Sequence, residues 1–269
     1  MDHHPISRSF PCSKALALIA ACLVATVGCR ASLGELAARA TDEWTRTYPL
    51  DPKGEVQITN TNGSIEFEGV EGSMVEVRAE RVARAATDAG ARELLPRIGI
   101  KEDVKPDRVS IETERLGGIM IGVSFEVQYH VRVPKWALVR GRTVNGAMAI
   151  QGIDGRVVAN SVNGAITGRE LAGGVEANTV NGGIEIAMRS VGEALIDLRT
   201  VNGAVRLTLP GDAKANLSAS CRNGEIDVAG LTLDLMGEQS RRRVRGRMNG
   251  GGTPIELNTV NGKIEVSAR

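Results

Sequence analysis

The sequence predicts an all-β protein: a parallel β-solenoid (β-helix) of Asn-Gly repeats about 20 residues long, with an antiparallel N-terminal capping lobe and one short helix. Three observations predict it. One short phrase recurs at a near-constant interval, the residues around it sort into apolar and polar columns, and the chain is poor in aromatics and rich in glycine.

The phrase stands at Thr143-Val144-Asn145-Gly146, Ser161-Val162-Asn163-Gly164, Thr179-Val180-Asn181-Gly182, Thr200-Val201-Asn202-Gly203 and Cys221-Arg222-Asn223-Gly224. These asparagines lie 18, 18, 21 and 21 residues apart. It returns at Thr259-Val260-Asn261-Gly262, and Asn60-Thr61-Asn62-Gly63 is an earlier relative. A fixed period of this length marks a repeat architecture, because one short unit cannot bury its apolar face alone and has to stack on the next.

Six residues before the Asn stand Val139, Val157, Val175, Ile196, Leu217 and Ile255; three after it stand Met148, Ile166, Ile184, Val205, Ile226 and Ile264. Between such inward columns sit polar residues, among them Glu176, Asp197, Glu185, Arg206 and Asp227. Alternation on both sides of Asn-Gly gives two half-buried strands per repeat. Taken alone, Asn-Gly favours a hairpin turn and an antiparallel meander, since both residues tolerate positive φ. A meander needs neither a constant period nor column identity. Stacked coils need both, because each residue packs on its equivalent about 4.8 Å away. Asn-Gly is therefore read as a coil corner, with Asn62, Asn145, Asn163, Asn181, Asn202, Asn223 and Asn261 placed to bond in a ladder and glycine left-handed. A twisted antiparallel sheet is the bland alternative.

In chain order, residues 1–28 read as an export signal of the lipoprotein type. Arg8 and Lys14 precede a 14-residue apolar run, Ala15 to Gly28, which is too short to span a bilayer as a helix. Thr26-Val27-Gly28-Cys29 resembles a bacterial lipobox, with Thr26 where Leu or Val is usual, so Cys29 is the expected lipidation site. Cys22 is a rival that leaves a shorter apolar run, and plain secretion or a short uncleaved anchor is the alternative to lipidation. Arg30 after Cys29 resembles an outer-membrane destination in a Gram-negative host.

Residues 29–53 read as a tether, with a short helix possible between Ala31 and Pro49. Residues 54–135 hold a first rung made of Val56 to Glu68 and Met74 to Arg78, a helix over Ala83 to Leu95 that stops at Pro96, and strands at Ile98–Val104, Val109–Glu114 and Val123–Val133 that form the capping lobe. Residues 136–269 are the solenoid repeats. Their rhythm slips once, where 38 residues separate Asn223 from Asn261.

Removing Arg8, Lys14 and Asp2 with the signal from 33 basic and 32 acidic residues leaves 31 of each. Such a balance gives no global field for nucleic acid, and none is expected as a partner. Of four cysteines only Cys221 then remains beside Cys29, so no disulfide framework is expected and Cys221 reads as a small core residue.

Few residues carry chemistry. Glu176 and Asp197 fall on adjacent rungs five before the Asn, close enough to raise one pKa or hold a cation, which is the one arrangement suited to glycan cleavage. Asn178 and Arg199 are near enough to neutralise them, and Glu185-Arg206-Asp227 reads as a charge ladder. Arg241, Arg242 and Arg243 open a run of five arginines in seven residues, either a phosphate or lipopolysaccharide contact or the charged guard of an edge strand. No Walker loop, HExxH, GxSxG or CxxC occurs.

The repeated Thr-Val-Asn-Gly with Val175-Glu176-Ala177-Asn178-Thr179 before it, the segment Val131-Arg132-Val133-Pro134 and the late Ser240-Arg241-Arg242-Arg243 with Gly250-Gly251-Gly252 together resemble the bacterial DUF4097 family of proposed adhesins. The resemblance covers roughly residues 54 to 269. It implies a β-solenoid in the cell envelope and no characterised activity.

The expectation is accordingly a non-enzymatic envelope lipoprotein, without cofactor or metal, held to the membrane through Cys29. Its repeat faces serve adhesion or an unidentified envelope protein or glycan. Envelope-stress sensing is the alternative, and a glycan-active enzyme using Glu176 and Asp197 a remote one.

Overall fold

A computed structural model describes residues 38–114, 122–237 and 240–269. The export signal, Cys29 and the first part of the tether lie outside the described residues. Strand β1 (Ala38–Pro49) precedes the Asn62 rung, formed by β2 (Glu55–Thr59) and β3 (Ile65–Val70). Next come β4 (Met74–Ala85), α1 (Asp88–Leu94), β5 (Ile100–Lys105), β6 (Arg108–Thr113) and β7 (Val123–Pro134). Four rungs follow as strand pairs: β8 (Leu138–Asn145) with β9 (Met148–Gln151), β10 (Val157–Asn163) with β11 (Ile166–Leu171), β12 (Val175–Asn181) with β13 (Ile184–Met188), and β14 (Ile196–Asn202) with β15 (Val205–Leu209). The Asn223 rung is β16 (Ala215–Asn223) with β17 (Ile226–Ala229). After β18 (Leu233–Leu235) and β19 (Arg243–Met248), the Asn261 rung closes the sequence as β20 (Thr253–Asn261) with β21 (Ile264–Ala268).

The first strand of each rung pairs in parallel with the first strand of the next, and the second with the second, which makes two open sheets. Equivalent residues meet: Val157 lies opposite Val139 and Val175, Ile184 opposite Ile166 and Val205. The predicted inward columns are buried from Val139 to Ile255 and from Met148 to Ile264; at the end rung Ile226 and Val228 are half-buried. This is the parallel solenoid that the repeat predicts.

Its rung order differs from the chain order. Strand β20 lies between β14 and β16, and β21 between β15 and β17, so the Asn261 rung is inserted between those of Asn202 and Asn223. The slip in rhythm is the chain stepping out through β18 and β19, which pair antiparallel on the outer side of β16, before returning to fill the gap. One consequence corrects the expected Glu185-Arg206-Asp227 ladder: Arg206 Nε donates to Glu265 Oε2 at 2.7 Å, and Asp227 accepts from Lys263 Nζ.

The capping strands are built onto the solenoid's own sheets. Strand β7 pairs in parallel with β3 and antiparallel with β4, while β6 pairs in parallel with β2 and antiparallel with β5, so both sheets of the solenoid run on and only their outer strands reverse. The tether is shorter than expected, since Ala38–Pro49 is an edge strand paired along its length with β4. Thr41, Trp44, Thr45, Thr47 and Tyr48 favour an extended backbone, and Asp42 and Glu43 form ion pairs with Arg81 and Arg78 of the neighbouring strand. The helix is also shorter than expected, because Ala83 and Ala85 continue β4; Thr87 caps it by accepting from Gly90 N, and it lies against β1 and β4.

Most of the corner glycines are present for a reason other than the expected one. Gly63 at the first rung has a φ of 115°, but Gly146, Gly164, Gly182, Gly203 and Gly262 are not left-handed. A Cβ on any of those five would fall well inside contact with the carbonyl oxygen of the preceding rung's glycine. At those five, close stacking and not backbone conformation demands glycine, while Gly63 and Gly224 have the expected positive φ. Replacing Gly182 by Ala is expected to cost roughly 3 kcal/mol in urea unfolding, whereas Gly211→Ala, at a turn with open space around it, is expected to stay within about 0.5 kcal/mol. Equal effects would contradict this account.

Candidate functional site

The corner itself is an assembled polar row. Asn145 Nδ2 donates to Asn62 Oδ1, Asn163 to Asn145, Asn181 to Asn163, Asn202 to Asn181, Asn261 to Asn202 and Asn223 to Asn261, all between 2.7 and 2.9 Å. Every amide points the same way, which leaves the carbonyl end of the stack at Asn223. Two residues earlier, the hydroxyls of Thr179, Thr200 and Thr259 donate inward to the glycine carbonyls of the adjoining rungs at 2.8 to 3.0 Å. Cys221 occupies this column on the last rung, buried as expected, and burial pushes its thiol up. Val162, Val180 and Val201, between hydroxyl and amide, face outward.

At the first rung Asn60 replaces the hydroxyl and ties three strands together. Its Nδ2 donates to Val127 O at 2.7 Å, its Oδ1 accepts from Thr113 Oγ1, and Thr113 in turn shares a 2.7 Å bond with Tyr129 OH. Burial pushes the Tyr129 phenol up to about 12. These groups are structural, since each is buried and bonded within the fold.

Glu176 and Asp197 are brought together as predicted, directly opposite each other on β12 and β14. The inserted rung adds a third carboxylate, Glu256, on the other side of Asp197. Reading the rungs in chain order hides Glu256; nothing in its column distinguishes it from Ser218 as the neighbour. Guanidinium groups occupy the row: Arg199 binds both oxygens of Asp197 at 2.8 Å and reaches Glu256 at 3.2 Å, and Arg156 reaches Glu176 at 3.2 Å. The Asp197 carboxyl nevertheless lies above the ordinary aspartate range, because burial outweighs Arg199, and Glu256 and Glu176 add to it. Among the described residues no group of three His, Cys, Asp or Glu side chains is placed to hold a metal ion.

Of the three arginines singled out, Arg241 and Arg242 lie in the turn before β19, where their carbonyls accept from Ile226 N and Cys221 N and close the end of the last corner. A depression of about 560 Å³ there is lined by both arginines, Asn223, Glu225 and Lys263. Arg243 begins β19 and shares its outward face with Arg245 and Arg247, the last two of the five-arginine run. Their alternation with Val244, Gly246 and Met248 is the signal that sets them on one face. Across β16 they stand opposite Ser220, Ser218 and Asn216. A second depression, about 410 Å³, is lined by Asn216, Ser218, Arg245, Arg247 and the Gly250–Gly252 turn.

The raised Asp197 carboxyl fixes a pH signature. An unfolded chain releases this proton at lower pH than the folded one, so the site costs stability once both have ionised, and that cost is removed as pH falls through the folded value. Relative to Asp197→Asn, the wild type is expected to gain stability on acidification, read as the difference in urea midpoints between pH 7 and pH 4. A relative loss would show the pair with Arg199 to dominate instead.

The geometry has relatives. A proposed cell adhesion protein from Clostridium sporogenes is similar over 85% of this chain and 100% of its own, at 10% identity and a TM-score of 0.50. A proposed adhesin from Bacteroides fragilis covers 85% and 97% at 10% identity and a TM-score of 0.39, and a proposed lipid binding protein from Parabacteroides distasonis covers 85% and 97% at 12% and 0.27. At 10% identity, the first of these likenesses is one of fold. No curated protein matches the chain. The Toastrack DUF4097 family model does match it, over residues 53–267, from the first rung to the last strand, and the chain belongs to that family.

Proposed function

We propose that this protein is an exported, lipid-anchored solenoid of the cell envelope that presents its outward strand faces for adhesion or partner binding, without catalysis. The observation that carries the reading is the fixed rung spacing. Interior columns are apolar and closely packed, while charged and polar side chains stand outside in rows that the Asn-Gly corners hold in register. Rows of this kind suit recognition of an extended, repeating partner. Each carboxylate of the Glu176–Asp197–Glu256 row is engaged by a guanidinium, which fits a structural charge network. The adhesive role proposed for the Clostridium sporogenes protein of the same fold agrees with this reading.

Export and anchoring rest on residues 1–28 and on Cys29. Among the described residues no helix is long and apolar enough to cross a membrane. In cells fed a labelled fatty acid, the wild type is expected to take up label and sediment with membranes, and Cys29→Ser to do neither. Label retained by Cys29→Ser but lost from Cys22→Ser would move the anchor to the rival cysteine. Wild type recovered unlabelled in the soluble cytoplasm would overturn the proposal.

A further inference from the structure

Elsewhere on the solenoid most arginines are partnered, although Arg142, Arg169 and Arg222 enter no ion pair among the described residues. Arg39, Arg78, Arg81, Arg84, Arg132 and Arg140 each reach a carboxylate on another strand. On and beside β19 four stand without an ion pair among the described residues: Arg241, Arg242, Arg243 and Arg247. Paired charges offset each other's fields, so these four within seven residues leave a local excess of positive charge at this end of one sheet, with the carboxylate of Asp234 opposite Arg247 on β18.

The arrangement is linear. Arg243, Arg245 and Arg247 leave the same face of one strand at two-residue intervals, about 6.8 Å apart, and beside each stands a short hydrogen-bonding side chain of β16: Ser220, Ser218 and Asn216. Guanidinium forks match carboxylates bidentately, and hydroxyl and amide groups match sugar hydroxyls. The flanking depression at the Gly250–Gly252 turn extends the strip past Arg247.

We propose that β19 and β16 form a binding strip for a linear acidic glycan, a polyuronate, lying along β19 with its carboxylates on the three arginines and its hydroxyls on Ser218, Ser220 and Asn216. A flat anionic membrane fits less well. Beyond β16 on the same face stands Glu256, opposite Ser218, with Asp197 and Glu176 behind it; a plane pressed on the arginines would meet all three, whereas a chain along β19 meets Asp234, opposite Arg247, and only borders Glu256. Nucleic acid also fits less well, since β16, β18 and β19 carry no aromatic side chain on which a base stacks. The proposal deepens the adhesion reading and rests on it for its setting, but binding by purified protein is independent of export.

The test uses the full-length chain, purified in neutral detergent, on immobilised polygalacturonate with increasing salt. Wild type is expected to be retained at low salt. A variant carrying Arg243→Ser, Arg245→Ser and Arg247→Ser is expected to elute earlier, with the slope of log affinity against log salt lower by about two to three. A variant carrying Arg39→Ser, Arg46→Ser and Arg78→Ser changes net charge equally and is expected to elute with wild type. Ser218→Ala with Ser220→Ala is expected to weaken polygalacturonate binding several-fold and leave inorganic polyphosphate binding unchanged, a readout that loss of fold does not reproduce. Failure of wild type to bind, or equal loss from both arginine variants, would overturn the proposal. So would displacement by phosphatidylglycerol micelles or an oligothymidylate at lower charge concentration than free polygalacturonate. Retention of these effects by cytoplasmic protein would leave the strip standing and remove only its envelope setting.

Discussion

The structure depends on one contact, repeated: the carbonyl oxygen of each corner glycine occupies the space where a side chain on the next rung's glycine would begin. That distance fixes how closely the coils approach. Once it is fixed, the asparagine amides fall within hydrogen-bond reach of one another, and the threonine hydroxyls beneath them reach the same glycine carbonyls. The amide row and the hydroxyl row are exposed and buried faces of the same constraint, and together they hold both sheets in register from opposite sides of the backbone. Individually such bonds contribute on the order of 1 kcal/mol, but they act at every rung.

Insertion of the final rung follows from this constraint and complicates it. The Asn223 rung meets no parallel neighbour until the chain has passed through β18 and β19 and come back. Its strands are therefore completed by β20 and β21, and contacts of long sequence separation hold that end together. Antiparallel strands close the sheets where repetition stops: β4 and β1, with β5, at the first rung, and β19 with β18 on one sheet at the other. Reversal of strand direction uses the edge hydrogen bonds without continuing the repeat, and the charges of the edge strands β1 and β5 discourage another strand from doing so.

Much of this was legible in the sequence. Column identity announced a parallel stack because a parallel solenoid sets each residue on its own equivalent, and the asparagine ladder followed from the same alignment. Rung order was not legible, since columns that match everywhere match equally well in any order; Asp197 accepts Glu256 beside it as readily as it would Ser218. Nor was β1, whose alternation is blurred at an edge where charged residues face solvent on both sides of Trp44. Glycine was assigned for its freedom at positive φ, the commoner reason, when at most corners the neighbouring carbonyl was the cause. At the candidate sites, pairing of Glu176 with Asp197 and the nearness of Arg199 were readable from spacing alone, but the contact of Arg199 with Glu256 depends on the insertion. Likewise the arginine run was visible, while its division into a turn that closes the corner and a strand that presents three side chains was set by pairing with β16.

Order among the rungs is what most directly separates this account from a simple coil wound in sequence. In a background with Cys221 replaced by Ser, cysteines introduced at positions 201 and 260 lie on adjacent strands, about 4.8 Å apart, within the range a disulfide spans; cysteines at 201 and 222 lie two strands apart, about 9.6 Å, beyond it. Mild oxidation of the folded protein followed by non-reducing peptide mapping is expected to find the 201–260 bridge and not the 201–222 bridge. A 201–222 bridge formed in its place would contradict the inserted rung, and with it the rows of side chains on which the functional reading stands.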